Sequence, residues 1–510
     1  MNPPAEPAPH INRGMITATV MLTSILQTLD NTIANVALPH MQGSLSATQE
    51  QMIWVLTSYI VATAIMTPAT GWLASRFGRK RLFLVSVACF TVTSMMCGLA
   101  QTLPEIVMFR FLQGASGAAL VPMSQAVLFD INPPERHGRA MSAWGLGVLL
   151  GPMLGPILGG WLTDNYSWRW VFYINLPFGI LAFLGVLAFM PKGSRRESRF
   201  DFIGFALLGI AVAALQLMLD RGPLLDWFGS NEIRIYATLT GLGLYLFIVH
   251  CLTSQEPFIH PSLFRDRNYV TGNVFAFIIG VVVFATLALV PTMLQTLLDR
   301  PAYNAGWLTA PRSIGSFAAM LIVGRVVGRI DPRVLIGIGF SLTALSLWQM
   351  TWMSLQMDGH IVIWSGIIQG FGVGIVWVPM ATMAFATLPP AFLYEGTALL
   401  SLIRNIGSSV GISAVQALLT TNTQIMHASL VEKVMPYNLA ARDPQLAASL
   451  ATHSGAMALN GEITRQAAMI AYINDFKIMT IVTICALPLL LVLKIKSRRP
   501  AEDTPHLAIE

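Results

Sequence analysis

Charge is what this chain has least of. Only 11% of its 510 residues are Asp, Glu, Lys or Arg, against about 25% in an ordinary soluble protein. The length would allow several soluble domains. That scarcity of charge, beside 54% hydrophobic residues, excludes them and describes an all-α polytopic membrane protein. Cysteine is also scarce: Cys89, Cys97, Cys251 and Cys485 all fall in apolar runs, where they read as small packing residues and not as bridges. Metal-ligand spacing and nucleotide motifs are absent, and the nine histidines are scattered. This argues against a metal, a resident cofactor or direct ATP coupling. An enzyme acting on lipid would need convergent His, Asp, Glu or Ser near an interface, and no such set stands out. The net charge of +6 calls for no nucleic acid; its meaning lies in where the bases stand.

Apolar runs of about 20 residues are long enough to span a bilayer, and fourteen are expected. They fall at 15–37, 51–72, 82–100, 104–127, 140–162, 170–190, 202–219, 233–252, 270–294, 306–327, 334–355, 361–386, 397–420 and 474–493. Residues 1–14 hold Arg13 as their only base and lead into the first span as an uncleaved anchor. Bases gather in alternate loops: Arg76, Arg79, Lys80 and Arg81; Arg136 and Arg139; Lys192 to Arg199; Arg265 and Arg267; Arg325, Arg329 and Arg333; and the tail from Lys494. By the positive-inside rule these loops and both termini are cytoplasmic.

The chain repeats itself. Gly71 and Arg76 leave span two as Gly324 and Arg329 leave span ten; Gln113-Gly114 in span four returns as Gln369-Gly370 in span twelve; Gly147 and Gly151 in span five return as Gly407 and Gly411 in span thirteen. Each match is displaced by eight spans, so the copies share one orientation, a parallel repeat. The expected organisation is a segment 1–14, a six-helix bundle 15–193, a basic linker 194–201, an inserted helix pair 202–252, a linker 253–269, a second bundle 270–493 and a tail 494–510. The second bundle includes a partly helical outer loop, 421–473. In that loop Met426, Leu430 and Val434, and Ile463, Ala467 and Ile470, form short apolar stripes suited either to docking a partner or to packing on each other.

Gly147, Gly151, Gly155 and Gly159 recur every fourth residue and make a groove on one helix that another helix can enter closely. Pro152 and Pro156 follow two of them, each removing an N–H from the ladder. A tightly packed structural helix and a bendable gate between the halves are both consistent with this pattern.

Charges inside a membrane are expensive and make functional suspects. At 1.5 Å per residue Asp30 stands roughly 10 Å below the outer end of span one, with Arg110 and Arg312 about 9 Å from the outer ends of theirs. Asp30 can therefore meet one or both arginines; Arg404 lies in the inner half of span thirteen. Gln27, Asn31 and Asn35 form a polar stripe beside Asp30, as expected of a wet cavity wall. Gln113, Gln369 and Met380 complete the expected substrate cavity. A structural ion pair or a snorkelling arginine is the alternative for each charge.

Leu29-Asp30-Asn31-Thr32 through Pro39, Arg110-Phe-Leu-Gln113-Gly114 and Trp168 through Pro177 resemble signatures of the fourteen-helix EmrB/QacA-type drug:proton antiporters of the major facilitator superfamily. The glycine groove resembles their antiporter motif. Pro311-Arg312, Gly324-Arg325 and the long loop favour the EmrB-like branch. The resemblance implies a major facilitator fold of 6 + 2 + 6 helices in a bacterial inner membrane, exporting amphipathic hydrophobic compounds against protons, with Asp30 and Arg110 as the coupling pair. It further implies a periplasmic adaptor (EmrA-like) and an outer-membrane channel (TolC-like). The cytoplasmic loop motif is represented by Gly71, Arg76, Gly78 and Arg79, but Ser75 stands where the family carries an acid, leaving Asp130 as a partner for Arg76. A symporter or uncoupled facilitator of the same fold remains the competing reading.

Overall fold

With no water in a bilayer core, backbone polar groups must be satisfied within each segment, so apolar runs of this length become helices. The computed structural model describes residues 12–191, 200–255, 257–389, 392–433 and 452–493, and they are helical almost throughout. The first bundle comprises α1 (Arg13–Ser44), α2 (Gln49–Met66), α3 (Ala69–Phe77), α4 (Arg79–Leu99), α5 (Leu103–Gly117), α6 (Leu120–Ile131), α7 (His137–Asn165), α8 (Trp170–Tyr173) and α9 (Asn175–Phe189). Then come α10 (Phe202–Arg221) and α11 (Asn231–Thr253). The second bundle holds α12 (Arg267–Thr296), α13 (Ala302–Thr309), α14 (Pro311–Val326), α15 (Pro332–Met350), α16 (His360–Ala386), α17 (Leu393–Lys433) and α18 (His453–Cys485).

Among the described residues, eleven helical stretches are long and apolar enough to cross a membrane. The expected first, second and tenth spans are not among them, for two reasons. Span one is diluted by Gln27, Asp30, Asn31 and Asn35 within α1; the other two are interrupted, α2 giving way to α3 at Thr67–Pro68 and α13 to α14 at Ala310–Pro311. The basic stretch 192–199 and the tail 494–510 lie outside the described residues.

The expected outer loop 421–473 is helical at both of its described ends, in keeping with a partly helical segment. α17 runs on to Lys433 and α18 begins at His453, so the helices project well past the expected span ends. His427 and Asn460 hydrogen-bond across the two projections at 2.9 Å, and Ala467 is buried. The stripe at 463–470 therefore packs inward; Val434 of the other stripe lies outside the described residues.

The repeat expected from the sequence reappears in the packing. α1 packs on α7 as α12 packs on α17, α2 on α5 as α14 on α16, and α4 on α9 as α15 on α18. One apolar core runs through both bundles near the base-rich loops, with Phe129 and Trp144 from the first and Met320 and Phe385 from the second. Toward the opposite end the core divides: Ile33, Val55, Ile106 and Phe172 cluster in the first bundle, and Leu289, Met293, Leu347 and Phe476 in the second. The halves are thus joined at the base-rich end. α10 lies across one seam, packed on α2 and on α17. α11 packs on α10 and leaves most of its residues exposed, as a peripheral helix facing lipid would.

Candidate functional site

Asp30 sits in the middle of α1, fully buried. A buried carboxylate is tolerated when it is paired and its lone pairs are met by donors, and three side chains do this. Arg110 of α5 donates from Nη1 at 2.6 Å, Gln113 from Nε2 at 2.9 Å and Asn175, the first residue of α9, from Nδ2 at 2.7 Å. Each donor is itself fixed. Arg110 donates from Nε to the Val55 carbonyl at 3.3 Å and from Nη1 to Gln113 Oε1 at 3.0 Å, and its guanidinium lies 4.4 Å from the centre of the Tyr59 ring. Asn175 spends its second N–H on Ser94 Oγ at 2.9 Å, and Ser94 donates to the Phe172 carbonyl. Arg110 and Gln113 are one helical turn apart, which is why both reach one acid. Gly114 follows because α2 runs close by: a Cβ there would stand 3.0 Å from the Tyr59 Cα.

The site differs from expectation in its members. Asp30 meets Arg110 and not Arg312. Of the stripe on α1, Gln27 is buried, Asn31 half-buried and Asn35 exposed, and none of them is bonded to Asp30. Asn175 is not among the expected site residues, although it lies in the Trp168–Pro177 stretch. Its signal is a lone amide opening an apolar helix that carries no other polar side chain. Met380 is 1% exposed and packs within the joined core in this conformation.

The second bundle repeats this arrangement with altered chemistry. Gln369 repeats Gln113, but its Nε2 donates at 3.1 Å to Thr286 of α12, as that of Gln113 donates to Asp30 of α1. Gly370 lies against the Arg312 carbonyl as Gly114 lies against that of Tyr59. Arg312 therefore takes the place of Tyr59, and Gly366 takes the place of Arg110. Arg312 donates to the Val283 carbonyl at 3.4 Å and has no ion-pair partner among the described residues. Arg404 lies on α17 near the Trp377 ring, 5.3 Å from its centre, and reaches Asn405 at 3.4 Å.

The glycine groove of α7 is occupied by α1 of the same bundle, and not by the other half. Cβ atoms at Gly147, Gly151, Gly155 and Gly159 would run into Met21, Thr28, Thr32 and Ile33 respectively. Helix α7 is continuous through Pro152 and Pro156. Pro152 cannot donate to the Val148 carbonyl; Thr28 Oγ1 of α1 lies 3.4 Å from that oxygen and Thr32 Oγ1 3.2 Å from the Gly151 carbonyl, while each hydroxyl has nearer acceptors on α1 itself, Ser24 at 3.0 Å for Thr28 and Thr28 at 3.0 Å for Thr32. Both threonines flank Asp30, so the groove and the acid share one stretch of α1. The contacts between halves use other positions of α7: Gly138 against Val327, Ser142 against Gly324 and Gly145 against Met320.

At the base-rich end, Asp130 pairs with Arg79 and not with Arg76; Arg76 is exposed. Arg79 also donates to Tyr394 Oη of α17 at 3.3 Å, tying the halves together. Gly71 lets the backbone of α17 approach, since a Cβ there would stand 2.8 Å from the Glu395 Cα. Gly78 turns the chain into α4 with φ +85°, a conformation that suits glycine.

Comparisons with known proteins agree with this architecture. The family model described as Major Facilitator Superfamily matches residues 20–412. The chain is 36% identical over 444 residues to the multidrug export protein EmrB of Haemophilus influenzae, covering 85% of this chain and 86% of that protein. It is 34% identical over 425 residues to the fatty acid resistance protein FarB of Neisseria gonorrhoeae, covering 83% and 84%. Among solved structures it resembles the human organic anion transporter MFSD10 with TM-score 0.63 at 13% identity, covering 94% and 99%, a likeness of fold.

Proposed function

This chain belongs to the major facilitator superfamily, in its EmrB-like multidrug export branch, and from that premise we propose a proton-coupled antiporter that exports amphipathic hydrophobic compounds. It is a multidrug efflux transporter and a multi-pass protein of the bacterial inner membrane. The finer reading divides it into six helices, an inserted pair and six more, with both termini cytoplasmic and no cofactor beyond the proton motive force.

The observation that carries the coupling is the Asp30 cage. Three donors fix an ionised carboxylate against Arg110. A proton arriving at Asp30 cancels the attraction and leaves Arg110 as a buried cation without a counter-ion, which the bundle relieves by rearranging. Asp30 lies on the stretch of α1 held in the α7 groove, so neutralising it can move α1 against α7, the gate helix of this reading. In the present conformation the halves are closed at the base-rich end, and Arg79–Asp130 with Tyr394 supports that closure. The substrate cavity lies between the halves. The unpaired Arg312 and the relation to FarB favour neutral compounds and weak acids, fatty acids included. By resemblance, an adaptor and an outer-membrane channel continue the path.

Transport into everted vesicles, with and without an imposed pH gradient, tests the reading. Uptake that requires an acidic interior and dissipates the gradient supports antiport. Uptake indifferent to the gradient favours a facilitator, and uptake driven by the opposite gradient a symporter.

A further inference from the structure

The second bundle holds an acid that the mechanism above does not use. Asp475 lies well inside α18, is 0% exposed, and neither carboxylate oxygen has a hydrogen-bond partner among the described residues. α18 packs there against α12, α15 and α17. Asp475 is flanked by Tyr472, Phe476 and Met479, all members of the second bundle's apolar cluster with Met293, Leu347, Met350 and Val415. Of titratable groups, its own helix offers Tyr472 nearby and an exposed Lys477. α12 has none after Tyr269, α15 none after Arg333, and α17 none between Arg404 and His427. No base on these elements stands opposite Asp475.

The two buried acids therefore sit in opposite settings. Asp30 has a cation and two amides to hold its charge. Asp475 stands beside the apolar cluster and Tyr472 with no cation or hydrogen-bond donor on its oxygens among the described residues, and an isolated ionised carboxylate is not tolerated in such surroundings. Met479 and Thr483 follow on the same face of α18; Thr483 lines a small enclosed cavity with Thr343 and Val283. Polar groups thus resume two turns along the helix, toward the base-rich end.

We propose that Asp475 is a second proton-carrying residue, protonated in the present conformation and discharged when α18 separates from α12 and α15 and water enters. The transporter then moves two kinds of proton: one exchanged at a caged, charged acid and one carried on an apolar, neutral acid. This rests on the reading of the protein as a proton antiporter.

The test uses the full chain in proteoliposomes. Dicyclohexylcarbodiimide, which attacks protonated carboxyls in apolar surroundings, should label Asp475 of the wild-type protein at neutral pH, as mapped by peptide mass spectrometry. With pH gradient and membrane potential imposed separately, Asp475→Asn should export with one proton fewer per molecule than wild type. Asp30→Asn should lose coupled export entirely. An unlabelled Asp475, or an active Asp475→Asn with unchanged stoichiometry, overturns this proposal alone; full coupling in Asp30→Asn overturns the antiporter reading itself. If Asp475→Asn does not insert, the labelling of the wild-type chain still decides.

Discussion

Replacing Asp30 with asparagine changes one atom, and from sequence alone that would pass for a gentle probe. The cage makes it severe. The substituted side chain would keep one acceptor oxygen, but its amide group would face a donor where Asp30 now receives Arg110, Gln113 or Asn175. Arg110, only 1% exposed, would be left without its counter-ion, and breaking a buried pair from one side costs about 3–5 kcal/mol. Asp30→Asn and Arg110→Gln should each lower the thermal midpoint of the purified protein strongly. The double variant should recover much of the loss, because two neutral amides can bond each other and no buried charge is left. A double-mutant cycle on unfolding in mixed micelles would read the coupling directly, with about 1 kcal/mol or more expected for residues in direct contact. None of the three variants should support gradient-driven efflux. Strictly additive losses, or a wild-type melting point in Asp30→Asn, would refute the cage as the holder of a charge.

The packing sets the remaining expectations. Gly151→Ala should cost about 1–3 kcal/mol by overpacking against Thr28 and the Leu29 backbone, whereas Gly160→Ala, with open space around it, should be neutral; equal melting points would show that the groove tolerates side chains. Thr28→Val should cost little, because the hydroxyl's shortest bond is a back-bond to the Ser24 carbonyl within α1; a loss of about 1 kcal/mol or more in the same melting assay would show instead that Thr28 satisfies the Val148 carbonyl across the groove. Arg79→Ala should loosen the base-rich end, so that maleimide reacts faster at a Ser142→Cys reporter between the halves; unchanged labelling would count against Arg79 as a latch. In resistance assays Arg312→Leu should weaken protection against fatty acids and spare neutral compounds, and equal loss for both would remove Arg312 from substrate choice.

What the sequence discloses depends on how local the signal is. The Arg110–Gln113 turn, the depth of Asp30 and the paired glycines are readable because helical spacing alone places them. The partner of the groove is not readable: nothing in Gly147–Gly159 distinguishes α1 of the same bundle from a helix of the other, and the match of Thr28 to the Val148 carbonyl exists only once both helices are docked. Asn175 and Asp475 escape notice because each stands at or near the expected edge of a span, where a polar residue ordinarily faces water. For Asp475 that edge is misplaced: α18 begins at His453, which carries the acid inside. The partner of Asp130 is Arg79, three residues beyond Arg76 at the start of α4, a choice set by the turn the chain makes at Gly78.

The position of α10 has a consequence for how the two seams meet the bilayer. Near its C-terminal end Asp220 receives the Thr57 hydroxyl of α2, Gln216 receives that of Ser409 and the Leu219 carbonyl that of Ser413, both from α17. The helix thereby roofs the seam between α2 and α17 against the surrounding lipid. The seam between α7 and α14 has no such roof among the described residues. A molecule built from two near-copies is therefore lopsided toward its lipid: one seam is covered by an inserted helix, and the other is sealed only by its own close packing of α7 on α14.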